Sequence, residues 1–312
     1  MRAIAIDHFG GPEVLVPHEL PVPKMGPAEV LIKIDTAGVG IWDSKAREGA
    51  WGETDKFPLI LGTDGSGTIV EVGSSVRRFA AGDRVYAYSY NNPKGGFYAE
   101  YVIVAASKVG HMPDGLDFRE VGAVATIGLT ALQGVDDALQ IREGDSLLIH
   151  AASGNVGMLA IQFAKRRGAR VLATASGHKG EKFVRKLGAD ASVDGKDGDI
   201  NAIVREFAPD GIDAVLAFAG GKQLTHCLDT LRKGGRVAYP NGVEPEPRKR
   251  RGIKFTDYDA TPGVREFERL NRAIEESHLQ VPIAASFPLN EAERAHRRLD
   301  EGHVFGKIIL RT

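Results

Sequence analysis

Hydrophobic and polar positions along the 312-residue chain change rhythm near residue 116. Before that point, short alternating runs dominate. Met1 to Phe9 alternates, as does Glu29 to Thr36, where Val30, Ile32 and Ile34 share one face; a period of two is the mark of a half-buried strand. Gly62, Gly65 and Gly67 precede Thr68 to Val72, Gly82-Asp83 turns into Arg84 to Tyr88, and Phe97 to Val104 reads as a further strand. Short strands punctuated by Gly and Pro predict a partly open barrel or sandwich. From Leu116 the pattern turns helical, with a helix expected over Arg119 to Ala138. Strands are then expected near 146–149, 170–174, 191–193, 213–218 and 236–239, with helices near 155–167, 179–187, 199–207 and 221–232. Such alternation predicts a parallel sheet with right-handed crossovers. A Pro-rich, basic stretch at 240–251 leads to helices near 263–277 and 290–300 and a last strand at Lys307 to Leu310.

The most informative unit lies between Asp145 and Arg167. Ser146 to Ile149 is an apolar run of strand length, Ala151-Ala152-Ser153-Gly154-Asn155-Val156-Gly157 follows, and a helix then places Val156, Leu159, Ala160, Phe163 and Ala164 on one face. Small residues at 151, 154 and 157 let backbone N–H groups approach a pyrophosphate and let the helix pack close to its strand, with the helix N-terminus turned to the phosphates. Arg170 to Thr174 supplies the next strand after Gly168 stops the helix. An NAD site places a carboxylate about 20 residues past such a fingerprint, on the ribose 2′-hydroxyl. Here the segment is Thr174-Ala175-Ser176-Gly177-His178-Lys179. It has no carboxylate to repel a 2′-phosphate, Ser176 can donate a hydrogen bond and Lys179 can supply charge. NADPH is therefore expected over NADH.

Composition narrows the class. Lys plus Arg number 40 and Asp plus Glu 41, so no global field draws the chain to nucleic acid or an anionic membrane. The N-terminal stretch is too short for a signal segment, and no run approaches the ~18 apolar residues of a membrane helix. A cytoplasmic protein is expected. A single cysteine, Cys227, excludes an intrachain disulfide framework and a multi-cysteine zinc site. Gly supplies 38 of 312 residues, about 12% against a usual ~7%, which suits a glycine-turned β domain beside a nucleotide-binding fold.

The order of parts, with Gly62-Thr63-Asp64-Gly65-Ser66-Gly67, Gly82-Asp83-Arg84-Val85, Gly95 to Tyr101, Gly128-Leu129-Thr130-Ala131, His150 to Gly157, Gly234 to Val237 and Gly302 to Ile309, resembles the medium-chain dehydrogenase/reductase superfamily. Within it the chain looks like the zinc-free quinone oxidoreductases related to zeta-crystallin. The resemblance implies a GroES-like, partly open β-barrel domain (1–122 plus 260–312) and a Rossmann doubly wound domain (123–259), with a cleft between them for nicotinamide and substrate. It also implies a homodimer.

Zinc enzymes of the superfamily place a Cys in the segment occupied here by Gly38 to Asp43, and a His-Glu pair where Thr63-Asp64 stands. Gly40 and Thr63 are not zinc ligands, and the structural zinc lobe with its four cysteines is missing. Asp43 and Asp64 lack the further oxygen ligands a hard cation wants. The site therefore reads as metal-free. Trp42 also replaces the Ser or Thr of a proton relay. Without a Lewis acid, alcohol oxidation loses its usual driver. A quinone or an α,β-unsaturated carbonyl still takes hydride readily, because charge delocalises onto oxygen.

The quinone oxidoreductases usually carry Asn where Gly40 stands, which removes one polar contact. Asp43 matches the family's aspartate and reads equally as a catalytic group or as a turn carboxylate bonded to local N–H groups. Trp42 and Trp51 offer flat faces for a ring or pack the interior. Tyr88 and Tyr90 are candidate proton donors or half-buried strand-end residues. The resemblance carries Thr130 to the nicotinamide and Gly154, Asn155 and Val156 to the pyrophosphate; Ala152, Ser153, Thr174, Ser176 and Lys179 are the further cofactor-binding candidates. Phe218, Ala219 and Gly220 then fall along the ribose, and Asn241 and Gly242 near the nicotinamide. The family often has a Tyr over the 2′-phosphate where Gly195 stands, with Lys196 beside it. Arg248 to Arg251 reads as a solvated loop, or as an attraction for an acidic substrate or RNA. Three functions stay open: NADPH-dependent quinone reduction, C=C reduction of enals or enones, and a weakly active NADPH-binding, crystallin-like or RNA-binding role.

Overall fold

The computed structural model describes residues 1–50 and 56–312, so Trp51 lies outside the described residues. The chain runs through β1 (Arg2–Ile6), β2 (Val16–Glu19), β3 (Glu29–Val39), α1 (Ile41–Arg47), β4 (Leu59–Ile60), β5 (Asp64–Val72), β6 (Arg84–Tyr88), β7 (Tyr101–Ala105), β8 (Val109–His111) and α2 (Phe118–Gly122). It continues with α3 (Ala125–Gln133), β9 (Ser146–His150), α4 (Asn155–Arg166), β10 (Arg170–Ala175), α5 (Gly177–Lys186), β11 (Ala191–Asp194) and α6 (Ile200–Phe207). Then come β12 (Ile212–Ala217), α7 (Lys222–Asp229), β13 (Leu231–Pro240), β14 (Lys254–Tyr258), α8 (Val264–Ser277), β15 (Ile283–Pro288), α9 (Ala292–Asp300) and β16 (Lys307–Arg311). No helix among the described residues is long and apolar enough to cross a membrane.

Two compact units result. The first comprises Met1–Thr126, Pro262–Asn271 and Val281–Thr312. Its main sheet runs β15-β16-β3-β5-β6-β8, and β7 also pairs with β3. The long β3 organises this unit: its Glu29–Lys33 half pairs with β7, and its Thr36–Val39 half pairs with the C-terminal β16. Along its other edge β3 pairs with β5. Val30, Ile32 and Ile34 point into a core shared with Ile69, Val85, Val102 and Ile308, as the period-two pattern requires. The result is a partly open barrel.

The second unit comprises Ile127–Thr261 and Arg272–Gln280. Its sheet runs β11-β10-β9-β12-β13-β14, with every pairing parallel. In sequence order within the unit this is 3-2-1-4-5-6, the doubly wound arrangement, whose direction reverses between β9 and β12. Leu148, Leu172, Val215 and Val237 are buried on the strands, and Leu159 and Phe163 are buried on α4.

Several expected elements differ. The helix expected over Arg119 to Ala138 is broken: α2 ends at Gly122, a turn at Ala123 and Val124 follows, and α3 closes in a π-turn over Gly134–Ala138. A side chain at 122 would lie 2.8 Å from Ser66 and Thr36, so the close approach to β3 and β5 fixes the break. The strand expected from Phe97 starts only at Tyr101, because the N–H groups of Phe97 and Tyr98 bond the Gly62 and Leu61 carbonyls of a loop. The elements β2, α1, β4, β8, β14 and β15 were not anticipated. Lys254-Phe-Thr-Asp-Tyr and Ile283 to Pro288 carry mixed or small side chains with weak alternation.

Candidate functional site

In the second unit the glycine turn leaves β9 at its carboxyl end. Ala151 takes a left-handed backbone (φ 59), a conformation that costs a non-Gly residue about 1 kcal/mol or more. Its N–H is held by Thr174 Oγ1 (3.0 Å), which also lies 2.9 Å from His150 Nδ1. Thr174 and His150 are buried, and burial pushes the His150 imidazole down to about 4, so it is neutral. Thr174 thus supports the turn from inside. Gly157 presses its backbone on Ala152: an added Cβ would sit 2.6 Å from the Ala152 Cα. At the start of α4 the first bonded amide is that of Met158, to the Gly154 carbonyl. The N–H groups of Asn155, Val156 and Gly157 therefore remain for an anion, aided by the helix dipole.

Beyond β10, Ser176 caps α5, and its N–H donates to Ser153 Oγ (3.2 Å). Ser153 thereby ties the two turns together. The Ser176, His178 and Lys179 side chains are exposed. Asp194, at the end of β11, opposes Ala175, and its carboxylate accepts the Lys196 N–H (2.8 Å). A carboxylate thus stands one strand over from Ser176. Phe218, Ala219 and Gly220 leave β12 at the same end, with the Phe218 N–H on the His150 carbonyl. Gly220 lies against the Glu244–Pro245 backbone, where a side chain has no room. Asn241 and Gly242 follow β13; the Asn241 N–H bonds the Tyr258 carbonyl and its amide donates to Asp259 (2.7 Å). The Thr130 carbonyl accepts the Tyr258 hydroxyl (3.0 Å). The fold thus brings Ala152 to Val156, Ser176 and Lys179, Phe218 to Gly220, and Asn241 with Gly242 to the carboxyl ends of adjacent parallel strands. Ligands of doubly wound sheets bind there.

Basic residues at 248–251 are partly engaged. Arg250 pairs with Asp229 (2.7 Å) and donates to the Thr225 carbonyl, while Arg248, Lys249 and Arg251 are exposed.

The first unit holds a buried polar cluster. Asp43, on the first turn of α1, accepts the Gly40 N–H and the Thr63 hydroxyl, both at 2.8 Å. Its carboxyl is raised to about 7, chiefly by burial, with the Asp64 charge adding and the Lys307 charge opposing. Asp64, fully buried, accepts the Thr126 N–H at Oδ2 (2.9 Å), while Oδ1 has no hydrogen-bond partner. Lys307 is fully buried too; its Nζ has no hydrogen-bond partner and lies 4.6 Å from the Trp42 ring centre. Sequence reading missed Lys307 as a site residue. The available signal was a charge heading the apolar run Ile308-Ile309-Leu310.

Behind this cluster Tyr98 meets His296 (3.1 Å), whose other nitrogen takes the Arg47 guanidinium (2.9 Å). Burial, with the Arg47 charge, pushes His296 down to about 3. Tyr88 ends β6 and Tyr90 follows it, partly exposed.

Gly40 decides what the cluster can hold. A Cβ at this position would run into the Trp42 indole, which occupies the space a side chain needs. Among the described residues no group of three or more His, Cys, Asp or Glu is placed to hold a metal ion.

A family profile described as "Alcohol dehydrogenase GroES-like domain" matches residues 26–114, and one described as "Zinc-binding dehydrogenase" matches residues 187–310. The chain is similar to the quinone oxidoreductase of Lama guanicoe, 33% identical over an alignment of 325 positions that covers 99% of this chain and 97% of the relative. Among solved structures it resembles an NAD-dependent alcohol dehydrogenase, with TM-score 0.93, 32% identity and 100% of both chains covered. It also resembles a mycobacterial protein complexed with NADPH, with TM-score 0.89, 28% identity and 100% of both chains covered. The zinc in one of these descriptions does not fit the residues present: an indole fills the space at Gly40, Thr63 donates to Asp43, and Asp64 holds the Thr126 amide.

Proposed function

The chain belongs to the quinone oxidoreductase family of the medium-chain dehydrogenases/reductases, and from that premise we propose that it transfers hydride from NADPH to a quinone without zinc. In this reading residues 123–259 hold the dinucleotide, and residues 1–122 with 260–312 receive the acceptor. The observation that carries it is the Trp42 indole standing in the side-chain space of Gly40. With that space closed, the chemistry falls to an acceptor that is electrophilic by itself, a quinone before an unactivated carbonyl.

Bound NADPH supplies the hydride. The free N–H groups at residues 155–157 and the dipole of α4 hold the pyrophosphate, Ser153 fixes Ser176 from behind, and Ser176 with Lys179 receives the 2′-phosphate. The quinone takes one hydride and one proton and leaves as hydroquinone. Asp43 is half-ionised near neutrality and sits behind Trp42 as a proton reserve, while Tyr88 and Tyr90 are the hydroxyl candidates for direct donation.

The test is NADPH oxidation on a panel of quinones and a panel of enals and enones, with the metal content of the same sample measured. Faster turnover on quinones with no stoichiometric zinc is expected. Preference for the alkenes moves the assignment to C=C reduction on the same site. Binding of NADPH without turnover on either panel overturns the reductase reading, and salt-sensitive RNA binding then supports a role for Arg248 to Arg251.

A further inference from the structure

Lysine side chains are almost never fully buried without a partner, and Lys307 is. Its position is built by three strands. Lys307 opens β16 and Asp64 opens β5, and these two strands flank the last residues of β3. Between them stands Gly38: an added Cβ would collide with Asp64 Oδ1 and lie 3.1 Å from Lys307 Cε. The missing side chain at 38 is what lets a carboxylate and an ammonium enter from opposite edges of one strand. Lys307 does not close a salt bridge there. Its Nζ stays without a hydrogen-bond partner and rests on the Trp42 face, an attraction that desolvation strengthens. The same indole fills the space beside Gly40, one turn of backbone from Asp43.

We propose that Lys307 is a positioning residue of this site: its buried ammonium is the internal cation that seats the Trp42 indole over Gly40 and sets the charge carried by Asp43. The titratable groups facing Asp43 fit the assignment. Lys307 comes from β16, Asp64 from β5, and Tyr98, whose hydroxyl burial and the charges of Asp43 and Asp64 hold well above its ordinary value, from the segment before β7. Lys307 is the cation among them, and its field opposes the effect of burial on Asp43. The consequence for turnover rests on the reductase reading; the electrostatic claim does not.

The test uses the full chain with Trp51→Phe, which leaves Trp42 as the only tryptophan of the two. Its emission is followed across neutral pH. A transition near 7 is expected from Asp43, and it disappears in Asp43→Asn. In Lys307→Met the midpoint moves upward by about one unit, a tenfold change in proton affinity, because the opposing charge is gone. In Lys307→Arg the midpoint stays below that of the Met variant. An unchanged midpoint in Lys307→Met, or a transition that survives in Asp43→Asn, overturns the proposal. Should Lys307→Met fail to fold, Lys307→Gln and Asp43→Asn decide by the same criteria. The pH profile of NADPH oxidation is measured alongside and is expected to shift in the same direction, with KM for NADPH unchanged. A shifted emission midpoint with no turnover in any form, the parent included, keeps the Lys307 assignment and removes the reductase one.

Discussion

At the scale of single residues, Asp43 makes stability depend on pH in an unusual sense. In the unfolded chain it ionises at its ordinary 3.8, in the fold at about 7. The folded state therefore holds an extra proton between those values, and the stability this represents is complete below 3.8 and lost as pH rises through 7. Asp43→Asn keeps an acceptor for Gly40 and removes the titration. It is expected to be more stable than the parent above pH 7, by up to about 4 kcal/mol from a shift of about three units, and denaturant unfolding on both sides of neutrality checks it. His150 and His296 act oppositely. Each is held neutral, near 4 and near 3 against an ordinary 6.5, so their contribution is full above 6.5 and drains as pH falls toward those values. The Asn variant should therefore lose stability steadily on acidification, without the compensation Asp43 gives the parent. Gly40→Cys adds a thiol where the indole lies; it is expected to cost about 1–3 kcal/mol through overpacking and to gain no stoichiometric zinc, read by thermal unfolding and metal content. Lys179→Glu is expected to weaken NADPH much more than NADH in titrations, since only the former carries the 2′-phosphate; equal losses remove Lys179 from that role.

At the scale of elements, the unit from β9 to β10 was legible because its apolar runs, its small turn residues and its helix face agree. Gly157 shows what that agreement protects. Gly157→Ala places a methyl carbon against the Ala152 backbone, which cannot step aside as a side chain can. A loss of about 1–3 kcal/mol is expected, with a weaker NADPH affinity, checked by unfolding and by calorimetry. The helix between Arg119 and Ala138 was misread because periodicity is blind to a tertiary approach: Gly122 yields to Thr36 and Ser66, residues more than fifty positions earlier in the chain. Likewise β15 shows little alternation, because its partner β16 and not its own burial defines it. Lys307 was legible only as a letter in a family motif. Nothing local says that a lysine heading an apolar strand is enclosed, since enclosure depends on Gly38 and Asp64 from elsewhere.

At the scale of the whole molecule, the two sheets differ in how far their pairings reach along the chain. Neighbouring strands of the second unit come from within Ser146–Tyr258, whereas β16 joins residues near 310 to residues near 37. Deletion of Lys307–Thr312 is expected to unfold the first unit, since it strips the Thr36–Val39 part of one edge of β3 and severs β15 from its sheet; amide exchange should show lost protection across β3 and β5 while β9 and β10 keep theirs. The same wiring bears on birth of the protein at the ribosome. Strand β3 is made long before β16, so the Thr36–Val39 part of its edge stays bare until residues 307–311 have left the exit tunnel. An unpaired strand edge is open to pairing with other chains, and β16 is the latch that closes it.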